Sequence, residues 1–254
     1  MVTVGFSTGA LAYGDFTRGL RLLEPTSANA VELSALRTVE LPALLNALPL
    51  QLEELKKRYR YISVHAPTDF DDELALVAQL SSVVAMGLHI VVHPDTIRDI
   101  LLWRELGSCL CLENMDSRKA SGRTAAELSH FFDDLPEAKL CFDVAHARQV
   151  DPTMTEAARI LAAFGDRLVQ VHLSEVNSRG KHFAMSFAAK RAYEPFAEIL
   201  SQVPVILESI VDEDQIRLEI AEAEKILTFD PRHGAHRNSD RNSGLLEGAH
   251  PVME

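Results

Sequence analysis

Residues 61–67 read YISVHAP, a short run of mainly apolar and β-branched residues that ends on a histidine. An apolar run of this length is typical of a strand that is buried on both faces, as in a parallel sheet. The predicted strand covers residues 62–65. It therefore places a side chain suited to metal binding or acid–base chemistry, His65, at its carboxyl end.

Runs of this kind recur along the chain, and each is followed by a longer segment with helical spacing. The predicted strands are 2–6, 30–33, 62–65, 89–93, 110–113, 140–143, 168–172 and 205–208. The predicted helices are 17–23, 42–59, 73–86, 96–106, 124–132, 153–164, 193–201 and 215–227. Strict alternation of eight strands and eight helices predicts an α/β fold, a single-domain (β/α)8 TIM barrel over residues 1–229. A doubly wound open sheet is the alternative.

Composition limits the classes of protein and partner. Residues 230–254 are rich in Gly, His, Asn, Arg and Ser without an apolar period, so we predict a flexible C-terminal tail. The net charge of −12 disfavours polyanionic partners. No apolar run is long enough for a membrane span, so we expect no membrane partner. The absence of a signal-like start and three cysteines in apolar settings favour the cytoplasm.

Six consecutive predicted strands end on or next to an ionisable side chain. The sequences at these ends are YISVHAP, IVVHPD, CLENM, CFDVAH, VHLSE and VILES, and the side chains are His65, His93, Glu113, Asp143 with His146, His172 and Glu208. In a barrel, all strand carboxyl ends meet at one face. We therefore expect these side chains to face one another across the barrel mouth.

A cluster of three carboxylates at the end of an apolar barrel predicts a divalent cation. Each carboxylate loses hydration and repels the others, which costs several kcal/mol per buried ion. A bound cation neutralises this charge and accepts the free lone pairs. Histidine with carboxylate is a typical ligand set for Zn²⁺, Mn²⁺ or Co²⁺, and no organic cofactor is predicted.

The order of these motifs resembles that of the xylose isomerase-like TIM-barrel superfamily. This superfamily includes sugar isomerases and epimerases as well as the endonuclease IV type of abasic-site nuclease. The resemblance begins with GFSTGAL and AVELSAL, continues through VHAP, VVHPD, LEN and FDVAH, and ends with VHLSE and LES. It extends over nearly the whole chain to about Thr228, and it implies the same barrel.

The resemblance also implies a set of metal ligands. The core metal of the family is bound at the positions of Glu113, Asp143, His172 and Glu208. The nuclease branch binds three zinc ions with further ligands at the positions of His65, His93, His146 and His182. Two positions differ from that branch: Gly180 replaces an aspartate, and residues 66–68 lack its DNA-inserting tyrosine.

The first functional hypothesis is a small-molecule isomerase or epimerase that acts on a sugar or a similar hydroxy-carbonyl compound. The resemblance implies that Glu113 and Glu208 remove and return a proton next to a metal-polarised carbonyl. His146 and Arg179 are candidates for hydrogen bonds to the substrate oxygens. Glu32 is either a further substrate contact or the partner of a neighbouring cation.

The second hypothesis is an endonuclease IV-like zinc phosphodiesterase, the one case in which nucleic acid is a partner. Two or three metals would then share Glu113 and generate a hydroxide for in-line attack. The loop NMDSRKASGR, with Arg118, Lys119 and Arg123, and also Lys181, would hold a phosphate, unless these side chains are simply solvated.

A non-catalytic metal-binding scaffold is the third hypothesis. The acidic charge and Gly180 favour the isomerase; the oligomeric state stays open.

Overall fold

A closed barrel of eight parallel strands forms the centre of the computed structural model, which describes residues 2–228. The barrel strands are β1 Val4–Ser7, β2 Ala30–Ser34, β3 Tyr61–His65, β4 His89–Val92, β5 Leu110–Glu113, β6 Lys139–Asp143, β7 Leu168–Leu173 and β10 Val205–Leu207. The strand order β1-β10-β7-β6-β5-β4-β3-β2 closes on itself. This confirms the predicted (β/α)8 barrel and excludes the open sheet. The predicted tail, 230–254, lies outside the described residues.

Helices surround the barrel, and the described part of the chain has more of them than predicted. They are α1 Thr8–Ala12, α2 Phe16–Leu23, α3 Leu41–Arg58, α4 Glu73–Ala85, α5 Ile100–Trp103, α6 Ala125–Asp134, α7 Val144–Val150, α8 Thr155–Phe164, α9 Phe187–Tyr193, α10 Ala197–Leu200 and α11 Ile216–Leu227. The prediction of one helix per strand was wrong because α1, α7 and α9 have only five to seven residues. Segments this short show no clear 3.6-residue period.

Two further boundaries differ from the prediction. The predicted helix 96–106 is α-helical only over Ile100–Trp103 and continues as 3-10 turns, which Gly107 interrupts with φ of 52° and ψ of −134°. The segment 174–186 between β7 and α9 also has secondary structure that the sequence does not predict. It contains a short antiparallel hairpin of β8 Glu175–Val176 and β9 His182–Phe183. This hairpin folds His182 back towards the barrel.

The main apolar core lies between the strands and the surrounding helices, on the strand face opposite to that of Glu32 and Glu113. Phe6, Val31 and Leu112 have no exposed surface, and neither does Leu140. β1 and β2 approach so closely that a Cβ atom at Gly5 would lie 1.7 Å from the carbonyl oxygen of Ala30. Glycine is therefore required at position 5 for these strands to pair. Within residues 2–228, no helix has the length and hydropathy needed to cross a membrane.

Candidate metal centre and active site

The carboxyl ends of the strands bring four potential metal ligands together. Glu113 and Asp143 are the last residues of β5 and β6, His172 lies one residue before the end of β7, and Glu208 directly follows β10. Each offers one ligand atom, and these atoms all lie within 4.8 Å of one another. The structure thus assembles the four residues that the sequence assigns to the core metal.

Glu113 lies at the centre of the site and contacts histidines through both of its oxygens. Oε1 is 3.2 Å from Nδ1 of His146 and 3.4 Å from Nδ1 of His172. Oε2 is 3.4 Å from Nε2 of His65 and 3.3 Å from Nε2 of His93. One carboxylate therefore faces two separate pairs of histidines.

Three further groups of ligand atoms border the first one, and one of them joins Glu32, His65 and Glu208. His65 and His93 form a group with Glu113, while His146 and His182 form a group with Asp143. All eight predicted ligands thus fall into groups that are linked through Glu113 and Asp143. The site has the capacity for more than one cation.

His182 reaches this site from the hairpin. Its Nδ1 is 2.9 Å from the Ser174 hydroxyl and 3.5 Å from Oε2 of Glu208. Its side chain is 20% exposed, whereas that of His172 has no exposed surface. The two histidines of the segment 171–182 therefore border one site from different depths.

The side chains present fit a divalent cation. Oε2 of Glu113, Oδ2 of Asp143 and Nδ1 of His172 are buried and have no hydrogen-bond partner among the described residues. A buried polar atom without a partner costs about 1–3 kcal/mol, and more when it is charged. Carboxylate and imidazole donors that converge in this way are suited to binding a divalent metal.

Without a cation, the buried groups shift one another's proton affinity. Burial raises the pKa of Glu208 to about 8. Burial alone would lower the pKa of His146, but the charge of Asp143 and a hydrogen bond with Glu113 raise it to about 10. Burial lowers the pKa of His182 to about 4. Clusters of strongly shifted groups in a cleft are typical of functional sites.

Glu32 lies deeper in the barrel than the sequence-based assignment to the substrate implies. Its side chain has no exposed surface, and Oε2 accepts hydrogen bonds from the Gln170 amide at 2.6 Å and the Ser63 hydroxyl at 3.3 Å. The same oxygen is 3.1 Å from Nε2 of His172. Glu32 therefore contacts His172, a candidate ligand, and is not among the residues that line the cavity.

A cavity of about 330 Å³ opens above the candidate ligands. His65, His93, Glu113, His146, His182 and Glu208 form its floor. Arg118 and Lys119 line its mouth, whereas the exposed side chains of Arg179 and Lys181 are not among the lining residues. Of the arginines and lysines named from the sequence, Arg118 and Lys119 therefore line the cavity, whereas Arg123 in the same loop does not.

Asn114 and Tyr13 are site residues that the sequence analysis missed. The Asn114 side chain donates to the carbonyl of Asp143 and accepts from its backbone N–H, both at 2.8 Å, so it fixes β5 against β6. The position of Asn114, directly after Glu113, was a usable signal. Tyr13 lines the cavity mouth with a φ of 54° and is 63% exposed. Nothing in the sequence marks it.

Comparisons with known proteins find solved structures with the same barrel. No protein-family model matches the sequence, and no curated protein matches it. Among solved structures, the 3-keto-D-glucoside 4-epimerase of E. coli has 16% identity and a TM-score of 0.61 over 89% of this chain and 100% of its own. A xylose isomerase domain protein from Alicyclobacillus acidocaldarius has 16% identity and a TM-score of 0.63 over 89% of this chain and 98% of its own.

The chain has the fold of the xylose isomerase-like TIM barrels. A further protein of this fold, from Mycobacterium smegmatis and in complex with magnesium, has 13% identity and a TM-score of 0.54 over 89% of this chain and 96% of its own. At such identities the likeness shows the fold alone. The function of this barrel therefore depends on the residues of the site itself.

Proposed function

We propose that this protein is a divalent-metal-dependent isomerase or epimerase of a sugar or a sugar-like hydroxy-carbonyl compound. One observation carries the proposal: Glu113 and Glu208 converge on one histidine nitrogen. Nδ1 of His172 is 3.4 Å from Oε1 of Glu113 and 3.5 Å from Oε1 of Glu208. Two carboxylates beside one metal position are suited to removing a proton from a substrate and returning it.

Four residues would hold the metal: Glu113, Asp143, His172 and Glu208. The metal supplies Lewis-acid polarisation of a substrate carbonyl, and Zn²⁺, Mn²⁺ and Co²⁺ suit these donors. Glu113 and Glu208 move the proton. His146 lines the cavity beside Glu113 and donates a hydrogen bond to a substrate oxygen. A magnesium complex and a sugar epimerase among proteins of the same fold support this assignment.

The substrate is a small molecule under this proposal, and no organic cofactor is required. The cavity of about 330 Å³ matches the lower end of the range for small-molecule pockets. Tyr13 offers an aromatic face at the mouth of the cavity, to which the apolar face of a sugar ring can stack. Glu32 acts through His172 and does not contact the substrate.

A zinc phosphodiesterase is the second candidate, favoured by the groups His65–His93–Glu113 and Asp143–His146–His182. These groups offer sites for further cations beside the first one, as phosphodiester cleavage by a metal cluster requires. Gly180 offers no ligand to a third cation. A metal-binding scaffold without activity is the remaining alternative.

The deciding experiment counts metal and follows proton transfer. Purified protein is loaded with Zn²⁺, Mn²⁺ or Co²⁺, its metal content is measured, and it is incubated with a panel of ketoses in deuterated water. An isomerase or epimerase introduces solvent deuterium at the carbon next to the carbonyl. Glu113→Gln and Glu208→Gln should each lower this exchange by at least about 100-fold, in line with typical acid–base contributions.

Glu222→Gln is the matched control, because Glu222 lies on the surface helix α11 and pairs with Lys190 and Lys225. Full exchange activity in Glu208→Gln would contradict the assignment. Cleavage of an abasic-site duplex by protein with two or three bound zinc ions, without deuterium exchange, would establish the second candidate instead. Stoichiometric metal without either activity would favour the non-catalytic metal-binding scaffold.

A further inference from the structure

Arg118 is a fixed cationic side chain at the mouth of the cavity. Its Nε and Nη2 donate to the two carboxylate oxygens of Asp116 at 2.9 and 2.8 Å. Its Nη1 donates to the backbone carbonyl of Arg179 at 2.6 Å. The Asp116 side chain is only 3% exposed, so the acceptor itself is held in place. Three hydrogen bonds from two loops therefore fix the plane of the guanidinium.

Gly180 makes room for this guanidinium. A Cβ atom at position 180 would lie 1.7 Å from Nη2 and 1.9 Å from Cζ of Arg118. Gly180 also has a φ of 71°, which L residues with side chains rarely adopt. Any side chain at this position would displace Arg118 from the cavity mouth. The glycine after β8 and the arginine after β5 are therefore parts of one arrangement.

The guanidinium retains donors for a ligand. Of its five N–H groups, three are used by Asp116 and Arg179, which leaves one on Nη1 and one on Nη2. The side chain is 44% exposed and lines the cavity. Lys119, also a lining residue, gives Asp95 a hydrogen bond of 3.1 Å and retains two further N–H groups.

We infer that Arg118, with Lys119, binds an anionic group of the substrate in the cavity that Glu113 also lines. The substrate of the proposed isomerase is then a sugar-like compound with a phosphate or a carboxylate. A planar guanidinium held by a buried carboxylate is suited to binding either group through paired hydrogen bonds. The inference rests on the proposed function for taking the ligand as a substrate, whereas the anion subsite itself stands on the geometry.

The expected loss of anion affinity follows from the ion pairs that Arg118 and Lys119 already form. Arg118 is neutralised by Asp116 and Lys119 by Asp95, so attraction comes from directed hydrogen bonds and not from net charge. Hydrogen bonds to charged groups contribute about 1.5–3 kcal/mol. Loss of the Arg118 donors should therefore weaken anion binding by about 10- to 100-fold.

The test measures the binding of inorganic phosphate and of acetate to metal-loaded protein by calorimetry. Arg118→Gln should weaken one or both anions by about 10- to 100-fold at unchanged metal content, and the anion affected more identifies the group. Gly180→Ala should have the same direction of effect because it displaces the guanidinium. Arg159→Gln is the control, since Arg159 also pairs with a carboxylate, that of Glu156, but does not line the cavity.

Unchanged affinity for both anions in a folded, metal-loaded Arg118→Gln protein would overturn the inference. If that variant does not fold, Lys119→Gln provides the same test, with an expected loss of at least about threefold for this weaker donor. A different result would reject the proposed function. Binding of phosphate through Arg118 without deuterium exchange on any ketose would reject the isomerase and retain the subsite.

Discussion

Nε2 of His172 lies 3.1 Å from Oε2 of Glu32, a carboxylate inside the barrel with no exposed surface. This contact leaves Nδ1 of His172 facing Glu113 and Glu208 at 3.4 and 3.5 Å. A histidine whose outer N–H is held by a carboxylate binds metal in a fixed orientation and as a stronger base. Nε2 of His172 is also 2.8 Å from the side-chain amide of Gln170, so Glu32 and Gln170 together leave Nδ1 as the nitrogen that faces the site.

Replacement of Glu32 should weaken metal binding without removing a ligand. In Glu32→Gln we expect about 10- to 100-fold lower metal affinity at unchanged stoichiometry, as for other partners of histidine ligands. Competition with a zinc chelator measures this loss. Ser63→Ala, which removes a 3.3 Å hydrogen bond to the same carboxylate, is the control and should change the affinity little. Loss of a whole metal equivalent would instead identify Glu32 as a ligand.

Glu113 should be the residue on which metal content depends most. Its two oxygens face the pair His146 and His172 and the pair His65 and His93. Glu113→Gln replaces one of these oxygens by an amide group that does not bind metal. We expect elemental analysis to show loss of more metal than in His182→Ala, because His182 borders only one group. Equal losses in the two variants would argue against a shared role of Glu113.

Removal of metal should lower the melting temperature. A ligand that binds only the folded protein stabilises it by about 2.7 kcal/mol at 100 times its dissociation constant. For a chain of this size that corresponds to a shift of about 5–11 °C. Scanning calorimetry of loaded and chelator-treated protein measures it. An identical melting temperature in both samples would contradict a resident metal at the barrel mouth.

Glu73 should stabilise the fold in a pH-dependent way. Its carboxylate accepts hydrogen bonds from the Trp103 indole at 2.6 Å and from the backbone N–H groups of Arg98 and Asp99 at 2.9 and 3.0 Å. Burial would raise the pKa of Glu73, but these hydrogen bonds outweigh burial and lower it. Glu73→Gln should reduce the free energy of unfolding by about 1–3 kcal/mol at pH 7.

The sign of the pH dependence follows from the lowered pKa. The contribution of Glu73 is fully present above the ordinary glutamate pKa of about 4.5 and is lost as the pH falls through the lower value of the folded state. Urea unfolding at pH 7 and pH 3 should therefore show the largest gap between wild type and Glu73→Gln at pH 7. Exposed Glu105 supplies the control, Glu105→Gln, which should show no such gap. A gap that widens in acid would refute the assignment.

Position 5 should tolerate no side chain. A Cβ atom there would lie 1.7 Å from the Ala30 carbonyl oxygen, so Gly5→Ala separates β1 from β2. We expect a loss of about 4 kcal/mol or more in the free energy of unfolding. Gly165→Ala is the control, because its nearest contact would be an ordinary 3.7 Å from Ile199. Equal stability of the two variants would show that the strands can shift apart at low cost.

The sequence was sufficient for the barrel and for the residues that converge at its mouth. Apolar runs such as 62–65 identify buried strands, and the ionisable residue at each strand end marks the face where they meet. Both features can be recognised in short stretches of sequence, because strand geometry determines which side chains are buried. The grouping of Glu113 with His65 and His93 follows once the strand order is that of a closed barrel.

Side-chain partners across the barrel were not predictable in the same way. The distance between Arg118 and Gly180 depends on how two loops fold, and no local pattern records it. The sequence therefore shows the missing side chain at Gly180 but not the arginine that fills its place. It leaves two roles open for Glu32, because the depth of this residue in the barrel depends on strand stagger, which periodicity alone does not give.

Asp143 connects the candidate metal centre to the backbone of a neighbouring helix. Oδ1 accepts the backbone N–H of His146 at 2.7 Å and so begins α7, while Oδ2 is left without a partner. The carboxylate that we propose as a metal ligand is thus the same one that caps the first turn of this helix. A cation bound to Oδ2 would hold this carboxylate in place. Metal loading should therefore slow amide hydrogen exchange in Val144–Val150.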